Sequence, residues 1–248
     1  MKERQDKIFA IFADRPNITV KELAALLNVS EVTVRKDLSA LENSGVLRRT
    51  HGGIAQVSSD SIEKRLQFRY NEKLKIAKEA VKLVEDGDCI LLEAGSTNAL
   101  FARELTEQKE VKIITNSLYI PKMLKDRRNV HITVLGGYFQ AEAEAMVGPL
   151  TKLLLSNLSV DKAFIGMDGF SEQLGFTCGD FMRAEVGKEM CDRARKVFVL
   201  SESSKFENVG LTTVAEFSKI NTVISDKDIP PRAAGILKKY QINTIIVE

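Results

Sequence analysis

Residues 30–53, SEVTVRKDLSALENSGVLRRTHGG, decide how the N-terminal part of this chain folds. Ser30 is a favoured N-cap residue, because its hydroxyl can accept a hydrogen bond from an unpaired amide of the first helical turn. Val34, Leu38 and Leu41 follow at spacings of four and three residues, which predicts a helix with one apolar stripe. The side chains off that stripe are expected to face outward: Val32, Thr33, Arg35, Lys36 and Ser39.

A short β-hairpin is predicted directly after this helix. Gly45 stands where a left-handed C-cap is wanted. Residues 46–51, VLRRTH, form a strand, and Gly52–Gly53 permits a tight turn. A helix of this size fits the DNA major groove, and a basic hairpin can reach the neighbouring phosphates. The segment therefore predicts a winged helix-turn-helix, whose candidate DNA contacts are Ser30, Thr33, Arg35, Lys36, Arg48, Arg49 and His51.

The residues before this segment supply two further helices. Residues 3–13 carry apolar side chains at spacings of three and four, and Pro16 ends the predicted helix. Thr19 and Glu22 match a capping box for a second helix. Asn28 then lies in the turn before residue 30. A helix, a second helix, a tight turn, a third helix and a hairpin is the order expected of the motif.

The basic side chains also have a simpler interpretation. Short amphipathic helices joined by a turn occur in many all-helical domains, and cations often form a solvated face. Residues 1–57 hold nine Lys and Arg against seven Asp and Glu, a net charge of +2, and the remainder of the chain is balanced. Asp37 and Glu42 are expected to oppose part of this cationic cluster. The placement of the cations, more than their number, favours DNA binding.

Composition restricts the class of protein. The chain has 248 residues, of which 44% are hydrophobic and 28% charged, as in globular proteins of one or two domains. It has no apolar run of the roughly 18 residues needed to span a membrane, and no secretory signal at its start. Cys89, Cys178 and Cys191 are widely spaced, and the chain has two histidines. We therefore expect a cytoplasmic protein without disulfides, metal sites or cofactors.

From residue 89 onward, short apolar strands alternate with helices. Strands are predicted at residues 89–93, 111–115, 130–135, 161–166, 196–201, 221–225 and 242–247. Helices are predicted at residues 62–85, 96–107, 117–125, 149–156, 181–194 and 230–240. Apolar strands separated by helices predict a mainly parallel sheet covered on both faces. The expected organisation is a winged helix-turn-helix at residues 1–57, a linker at 58–70 and a larger α/β domain at 71–248.

Polar loops follow several predicted strands at the edge where parallel sheets bind ligands. Gly95, Ser96, Thr97 and Asn98 open a helix and offer free amides, hydroxyls and a positive dipole end to an anion. Lys205 can act as a point charge on a phosphate. Both features have a structural alternative, an ordinary N-cap in the first case and a surface loop in the second.

The same edge contains four further candidates. Asn116 could add a polar contact or cap a helix. Gly136 and Gly137 remove side chains where a ligand or a backbone segment comes close. Asp168 could accept hydrogen bonds from sugar hydroxyls, or it could be a turn aspartate. Several such loops on one edge are stronger support for a ligand site than any one of them.

Six motifs make the whole chain resemble the DeoR family of bacterial transcriptional regulators. They are VSEVTVRKDLSALENSGVLRRTHGG (29–53), ILLEAGSTNALFAREL (90–105), IITNSL (113–118), VLGG (134–137), DKAFIGMDGF (161–170) and LSESSKF (200–206). The resemblance implies an N-terminal domain that binds operator DNA. It also implies a C-terminal domain similar to ribose-5-phosphate isomerase that senses a phosphorylated sugar. Most members are repressors that this effector relieves.

The resemblance also implies roles for individual residues and partners. Recognition-helix contacts would come from Arg35 and Lys36, and wing or phosphate contacts from Arg48 and Arg49. The effector's phosphate would bind Ser96, Thr97 and Lys205. Ser96 stands where the family commonly has threonine, and Glu202 where it commonly has aspartate; both changes keep the chemistry. The implied partners are double-stranded operator DNA, a small phosphorylated sugar and further copies of the chain, as a dimer or tetramer.

A sugar-phosphate isomerase fused to a DNA-binding module is the rival interpretation. Such an enzyme needs an acid–base group within hydrogen-bond reach of the proton it moves. In an approximate alignment with ribose-5-phosphate isomerases, Asp168 falls on one acidic position. Ile165 falls where a second acid is expected, and Phe176 near the position of the active-site lysine. The resemblance therefore predicts a pocket without catalytic residues, and a regulator rather than an enzyme.

Overall fold

The computed structural model of the chain describes residues 8, 11, 18–43, 47–50, 53–56 and 61–248. Between residues 39 and 60 it describes the backbone of these segments and not their side chains. The chain divides into two compact units, residues 1–67 and 68–248, which are described separately below.

Two capped helices form the centre of the first unit. Helix α1, Val20–Leu27, begins with the predicted capping box, in which the Glu22 amide donates to Thr19 Oγ1 (3.3 Å) and the Thr19 amide to Glu22 Oε2 (2.8 Å). It ends at Asn28, whose left-handed backbone (φ 53°) turns the chain. Helix α2, Glu31–Asn43, is capped by Ser30 as predicted, since Ser30 Oγ accepts from the Thr33 amide (3.2 Å).

The apolar stripe of α2 packs into a small core, as the sequence pattern predicted. Val34 and Leu38 are buried together with Ile8, Ile18 and Leu23. Ile8 and Ile11, from the predicted first helix, both have helical backbone. Asp37 is also buried (3% exposed), and the expectation that it opposes part of the cationic cluster stays a prediction. Predictions for Pro16, Gly45, His51 and Gly52 lie outside the described residues.

A two-stranded hairpin follows α2. Strand β1, Leu47–Thr50, pairs antiparallel with β2, Gly53–Gln56, and Thr50 lies opposite Gly53. The predicted hairpin is therefore present, although Gly53 begins the return strand instead of lying in the turn. The pairing places Arg48 and Arg49 on the first strand of the wing. Helix α3, Ile62–Gln67, completes the first unit.

The second unit is built on one parallel sheet. Its strands are β3 Cys89–Leu92, β4 Val111–Thr115, β5 Val130–Val134, β6 Tyr138–Gln140, β7 Ala145–Val147, β8 Val160–Ile165, β9 Gly169–Ser171, β10 Gly175–Cys178, β11 Ala194–Leu200, β12 Thr212–Ala215, β13 Thr222–Asp226 and β14 Asn243–Val247. Seven of them form a sheet in the order β14-β13-β11-β8-β3-β4-β5, and every neighbouring pair is parallel. The predicted α/β architecture is confirmed.

Helices connect these strands close to the predicted positions. They are α4 Tyr70–Val81, α5 Ser96–Thr106, α6 Tyr119–Leu124, α7 Pro149–Leu155, α8 Phe181–Arg193 and α9 Pro231–Lys239. The prediction of one helix over residues 62–85 was wrong. The helix is interrupted between α3 and α4 at Arg69, whose φ of +49° lies in the left-handed region. Among the described residues, no helix is long and apolar enough to cross a membrane.

Two small sheets were missed by the sequence pattern. Strands β9, β10 and β12 form an antiparallel sheet beside the large one, and β6 pairs with β7. Each of these strands has three or four residues, too few to establish a period. Phe101 of α5 packs at a tilt against Phe164 of β8 at a ring-centroid distance of 4.4 Å, and Phe164 stacks on Phe198 of β11 at 4.9 Å.

Candidate functional site

The strand order reverses between β3 and β8. From β3 the chain proceeds through β4 to β5 on one side, and from β8 through β11, β13 and β14 on the other. In open parallel sheets, ligands bind beyond the carboxyl ends of the strands at such a reversal. The loops that follow β3, β8 and β11 therefore flank the expected crevice. Because neighbouring strands lie about 4.8 Å apart, the ends of β3 and β11 are separated by about 10 Å, the size of a small ligand.

Side-chain hydrogen bonds join the ends of β3 and β8 where the strand order reverses. Asn98 Nδ2 donates to the carbonyl oxygens of Glu93 (3.0 Å) and Phe164 (3.1 Å), which belong to the ends of β3 and β8. Glu93 Oε2 accepts from the Gly166 amide (2.7 Å) on the β8 loop. Asn98 is 1% exposed, and its Nδ2 is committed to the scaffold, whereas its Oδ1 is buried without a hydrogen-bond partner among the described residues.

Ser96 and Thr97 lie in the first turn of α5, directly before Asn98 and its hydrogen bonds to the strand ends. Both residues are buried (8% and 7% exposed), and their hydroxyls have no hydrogen-bond partner among the described residues. Gly95 is the N-cap and has no side chain to occupy the first-turn amides, which have no intrahelical acceptor. Hydroxyls and amides that converge at a helix N-terminus suit an anion such as phosphate.

Asp168 follows β8 on the other side of the reversal. Its Oδ2 accepts from the Gly179 amide (3.0 Å), from Arg183 Nη2 (3.2 Å) and from Cys178 Sγ (3.3 Å). Burial raises the pKa of Asp168, but Arg183, the Gly179 amide and Lys205 together hold that pKa below its usual value. The carboxylate is therefore ionised at neutral pH and can accept hydrogen bonds.

Lys205 reaches this carboxylate from the loop after β11. Its Nζ lies 3.9 Å from Asp168 Oδ1, and its side chain is 31% exposed. At that distance and exposure the two charges attract without a hydrogen bond, so the ammonium keeps donors for another acceptor. The structure thus brings together Asp168 and Lys205, which lie far apart in the sequence.

The remaining predicted ligand residues have contacts within the protein. Asn116 Oδ1 accepts from the Ala94 amide (2.8 Å), and its Nδ2 donates to the Met146 carbonyl (3.0 Å). Gly137 has a φ of +151°, and a Cβ there would meet the Val147 carbonyl oxygen at 2.6 Å. Its lack of a side chain is therefore explained by backbone packing. Gly136, in contrast, has open space around it.

Two carboxylates and a thiol extend the site beyond the predicted residues. Glu93 is 8% exposed and joins the β3 and β8 loops, and its position as the last residue of a predicted strand could have marked it. Glu202 is 1% exposed and accepts from the Ser204 amide and hydroxyl (both 2.9 Å). Burial and the charge of Asp168 raise the pKa of Cys178 to about 12, so this thiol is neutral.

Ile165 and Phe176, the positions where an isomerase would need an acid and a lysine, are apolar and enclosed. Ile165 and Phe176 are both 0% exposed, and Phe176 packs edge-on against Phe170 at a ring-centroid distance of 5.4 Å. Neither side chain can transfer a proton, and neither lies at the surface of the crevice.

In the first unit, α2 presents a mixed outer face. Val32 is 75% exposed, Lys36 is exposed, and the Arg35 side chain is 60% exposed with Nη2 3.3 Å from Glu31 Oε2. The hydroxyls of Ser30 and Thr33 lie 2.9 Å apart within the cap. The side chains of Arg35 and Lys36 are thus exposed, whereas Ser30 and Thr33 take part in capping.

Comparison with known proteins assigns each unit to a described domain. Residues 4–60 match the DeoR-like helix-turn-helix domain, and residues 69–227 match the DeoR C terminal sensor domain. The HTH-type transcriptional regulator GolR of Listeria innocua serovar 6a is 32% identical over 243 residues, 96% of this chain and 94% of that protein. The lactose phosphotransferase system repressor of Lactococcus lactis subsp. lactis is 32% identical over 247 residues, 96% of each chain.

One of the solved structures similar to this chain is that of ribose 5-phosphate isomerase a from Methanocaldococcus jannaschii. It is 30% identical, with coverage of 55% of this chain and 54% of that chain and a TM-score of 0.41.

Replacing Asn98 should reveal its structural role. We expect Asn98→Ala to lower the free energy of unfolding of the second unit by roughly 1–3 kcal/mol, because two buried carbonyls lose a donor. Thr97→Ala, one position earlier, should cost less than about 1 kcal/mol, since its hydroxyl bonds to no described residue. Urea unfolding followed by circular dichroism compares the two. Equal losses would contradict the division between scaffold and ligand groups.

Proposed function

Because this chain belongs to the DeoR family of transcriptional regulators, we propose that it represses a carbohydrate-utilisation operon and that a phosphorylated sugar relieves the repression. The observation that carries this proposal is the convergence of Lys205 and Asp168 (3.9 Å) on the same carboxyl edge of the sheet from which α5 begins with Ser96 and Thr97. In the proposed organisation, residues 1–57 bind DNA, residues 58–70 connect the domains and residues 71–248 sense the effector.

The DNA-binding proposal concerns α2 and the wing. Arg35 and Lys36 would enter the major groove, where a guanidinium can bind guanine with two hydrogen bonds. Arg48, Arg49 and His51 would lie against the phosphate backbone, with Ser30 and Thr33 near the same strand. Support comes from the exposure of Arg35 and Lys36 and from the wing pairing of β1 with β2. Phosphate contacts set the register, and base contacts set the sequence preference.

The effector proposal divides the ligand into two ends. Its phosphate would accept from the Ser96 and Thr97 hydroxyls, the first amides of α5 and Lys205 Nζ. Its sugar hydroxyls would donate to Asp168, with Gly95, Gly136, Gly137, Asn98 and Asn116 forming the surrounding wall. The separation of about 10 Å between the ends of β3 and β11 suits such a molecule. When phosphate arrives, Lys205 can exchange a long contact with Asp168 for a short charge-assisted one.

A sensor is favoured over an isomerase by the state of the carboxylates. Asp168 accepts three hydrogen bonds and is held ionised, and Glu93 is bonded to the Gly166 amide. Ile165 and Phe176 offer no acid or base. A general base with a pKa near neutrality would suit proton transfer better. Turnover of a pentose or hexose phosphate by the purified protein would favour the enzyme instead.

Assembly into dimers or tetramers is part of the proposal. Paired recognition helices bind repeated half-sites, and this requires an interface between copies. Helix α7 buries Thr151 and Leu155 but exposes Leu150, Leu153 and Leu154 by 64%, 61% and 48%. An apolar stripe this open is typical of an interaction surface. We further propose that the protein acts in the cytoplasm and on the nucleoid when bound to DNA, without a membrane partner.

Two arginine variants separate base recognition from phosphate binding. Arg35→Ala should weaken operator binding by about 1–3 kcal/mol and relax sequence preference, if Arg35 contacts a base edge. Arg49→Ala should weaken binding to operator and scrambled DNA alike, and should lower the salt slope by about 1. Fluorescence anisotropy at several salt concentrations measures both effects. Arg195→Ala, a 78% exposed arginine of the second unit, is the control. Unchanged affinity for both variants would refute the groove assignment.

Lys205→Ala should separate effector binding from DNA binding. We expect the variant to retain operator affinity and to lose the rise in melting temperature that sugar phosphates cause. For the wild type, bound ligand should raise the free energy of unfolding by about 2.7 kcal/mol at a hundredfold excess over Kd. Lys196→Ala is a matched control. Lys196 is exposed and lies near the start of β11, at the opposite end of that strand from the loop that carries Lys205. A panel of sugar phosphates and the parent sugars supplies the ligands. An undiminished response at the same ligand concentration would remove Lys205 from the phosphate site.

A charge on α7 should prevent assembly. The double variant Leu150→Glu, Leu153→Glu should shift the sedimentation profile toward monomer, because it would bury two carboxylates in an apolar interface. Leu211→Glu is the control, since Leu211 is 77% exposed and lies outside α7. Circular dichroism confirms that each variant folds. If the double variant sediments as the wild type does, the interface lies elsewhere.

A further inference from the structure

The second unit begins at a corner built around Arg69. This residue lies between α3 and α4 and has a left-handed backbone (φ 49°, ψ 44°), which a residue with a side chain adopts only when its surroundings hold it there. The carbonyl oxygen of Phe68 accepts from Lys73 Nζ (2.7 Å), and Lys73 is 3% exposed. The corner is therefore stabilised by the hydrogen bond from Lys73 of α4 to Phe68, and the backbone of Arg69 is held in the left-handed conformation.

The Arg69 guanidinium extends from this corner to the carboxyl edge of the sheet. Its Nη1 donates to Ser203 Oγ (2.8 Å) and lies 3.5 Å from Glu202 Oε2. Its Nη2 donates to Asp226 Oδ1 (3.3 Å) and Asp228 Oδ2 (3.2 Å). These partners belong to the loops after β11 and β13. One side chain thus binds two loops of the edge that carries the candidate site.

The two main carboxylates in this cluster depend on a cation. The Glu202 and Asp226 side chains are 1% and 3% exposed, and that of Arg69 is 22% exposed. A buried carboxylate that loses its partner is strongly destabilised. Asp226 Oδ2 also accepts from the Ser203 amide (2.7 Å), so the cluster fixes the loop backbone as well as its side chains. The loop cannot shift without moving Arg69 or breaking these bonds.

Lys205 lies on this same loop. Its backbone amide donates to the Glu202 carbonyl (3.2 Å), and its side chain reaches Asp168. Arg69 therefore acts on the ammonium through the short turn formed by residues 202–205. An anion drawn to Lys205 would also meet the negative charges of Glu202, on the same turn, and of Asp226, which bonds to the Ser203 amide of that turn. Arg69 is the cation that balances them.

We propose that Arg69 is a positioning residue of the effector site and the link through which occupancy of that site reaches the DNA-binding unit. The inference rests on the proposed function. A ligand that binds one placement of the 202–205 turn more tightly shifts the population toward that placement. Arg69 carries the shift to a corner two residues from the boundary between the units at residues 67 and 68. By linkage, operator binding alters effector affinity by the same factor.

The guanidinium is needed for this role because it reaches several oxygens at once. Arginine presents its donors in a rigid planar fork, whereas lysine has one compact ammonium. Arg69→Lys keeps the charge that Glu202 and Asp226 require, but it cannot hold both loops together. It should preserve folding and reduce coupling. Arg69→Gln removes the charge as well and should also destabilise the unit.

Hydrogen exchange of the full-length protein, with inorganic phosphate as the probe, tests the link. In the wild type we expect phosphate to slow exchange in residues 201–207 and to change exchange in residues 62–67. In Arg69→Lys and Arg69→Gln the first effect should persist in weakened form and the second should disappear. If residues 62–67 respond in both variants as in the wild type, the link is refuted. Arg195→Ala, which removes an exposed ion pair elsewhere on the sheet, should respond as the wild type does.

A second measurement uses operator DNA. The ratio of operator Kd with and without the sugar phosphate that stabilises the wild type most should lie between about 5 and 150 for the wild type. For Arg69→Lys it should approach one, while the melting temperature stays near that of the wild type. A stable Arg69→Lys protein with an unchanged ratio would overturn the inference and leave the proposed function standing. Absence of any phosphate effect on residues 201–207 in the wild type would instead overturn the proposed effector site, and the inference with it.

Discussion

The parallel pairing of β3 with β8 is the constraint on which the candidate site depends. These strands are distant in sequence, and their pairing reverses the strand order, which is where open parallel sheets bind ligands at the carboxyl edge. Asn98 fastens the reversal from within α5 by bonding to one carbonyl from each side. The same helix start carries Ser96 and Thr97, so the element that closes the sheet also carries the hydroxyls that we propose bind the anion.

Charge along this edge is arranged in two linked clusters. Asp168 is surrounded by Arg183, Lys205 and the Gly179 amide, and Glu202 and Asp226 share Arg69. The loop after β11 belongs to both clusters. A change in charge at Lys205 therefore acts on a loop that is tied to the beginning of the unit. The proposed link between the effector site and the DNA-binding unit rests on this geometry.

Much of the fold was predictable from local pattern. The capping box at Thr19, the cap at Ser30 and the buried positions Val34 and Leu38 follow from side-chain chemistry and helical spacing, and the structure agrees. The strands of the large sheet were predicted to within one or two residues, because short apolar runs separated by helical segments mark them in the sequence. The break at Arg69 was not, since the apolar pattern continues through it. The three- and four-residue strands were missed because they are too short to show a period.

The sequence by itself determined which groups are available at the ligand edge: hydroxyls after β3, a carboxylate after β8 and an ammonium after β11. Only the tertiary structure decided which of them are free to bind. Asn98 and Asn116 have the same side chain as many ligand-binding residues, but the Nδ2 of each donates to a backbone carbonyl of a distant strand. Arg69 likewise acquires its importance from carboxylates more than 130 positions away. Hydrogen bonds that join residues far apart in the chain leave no local pattern, because their partners are chosen by strand order.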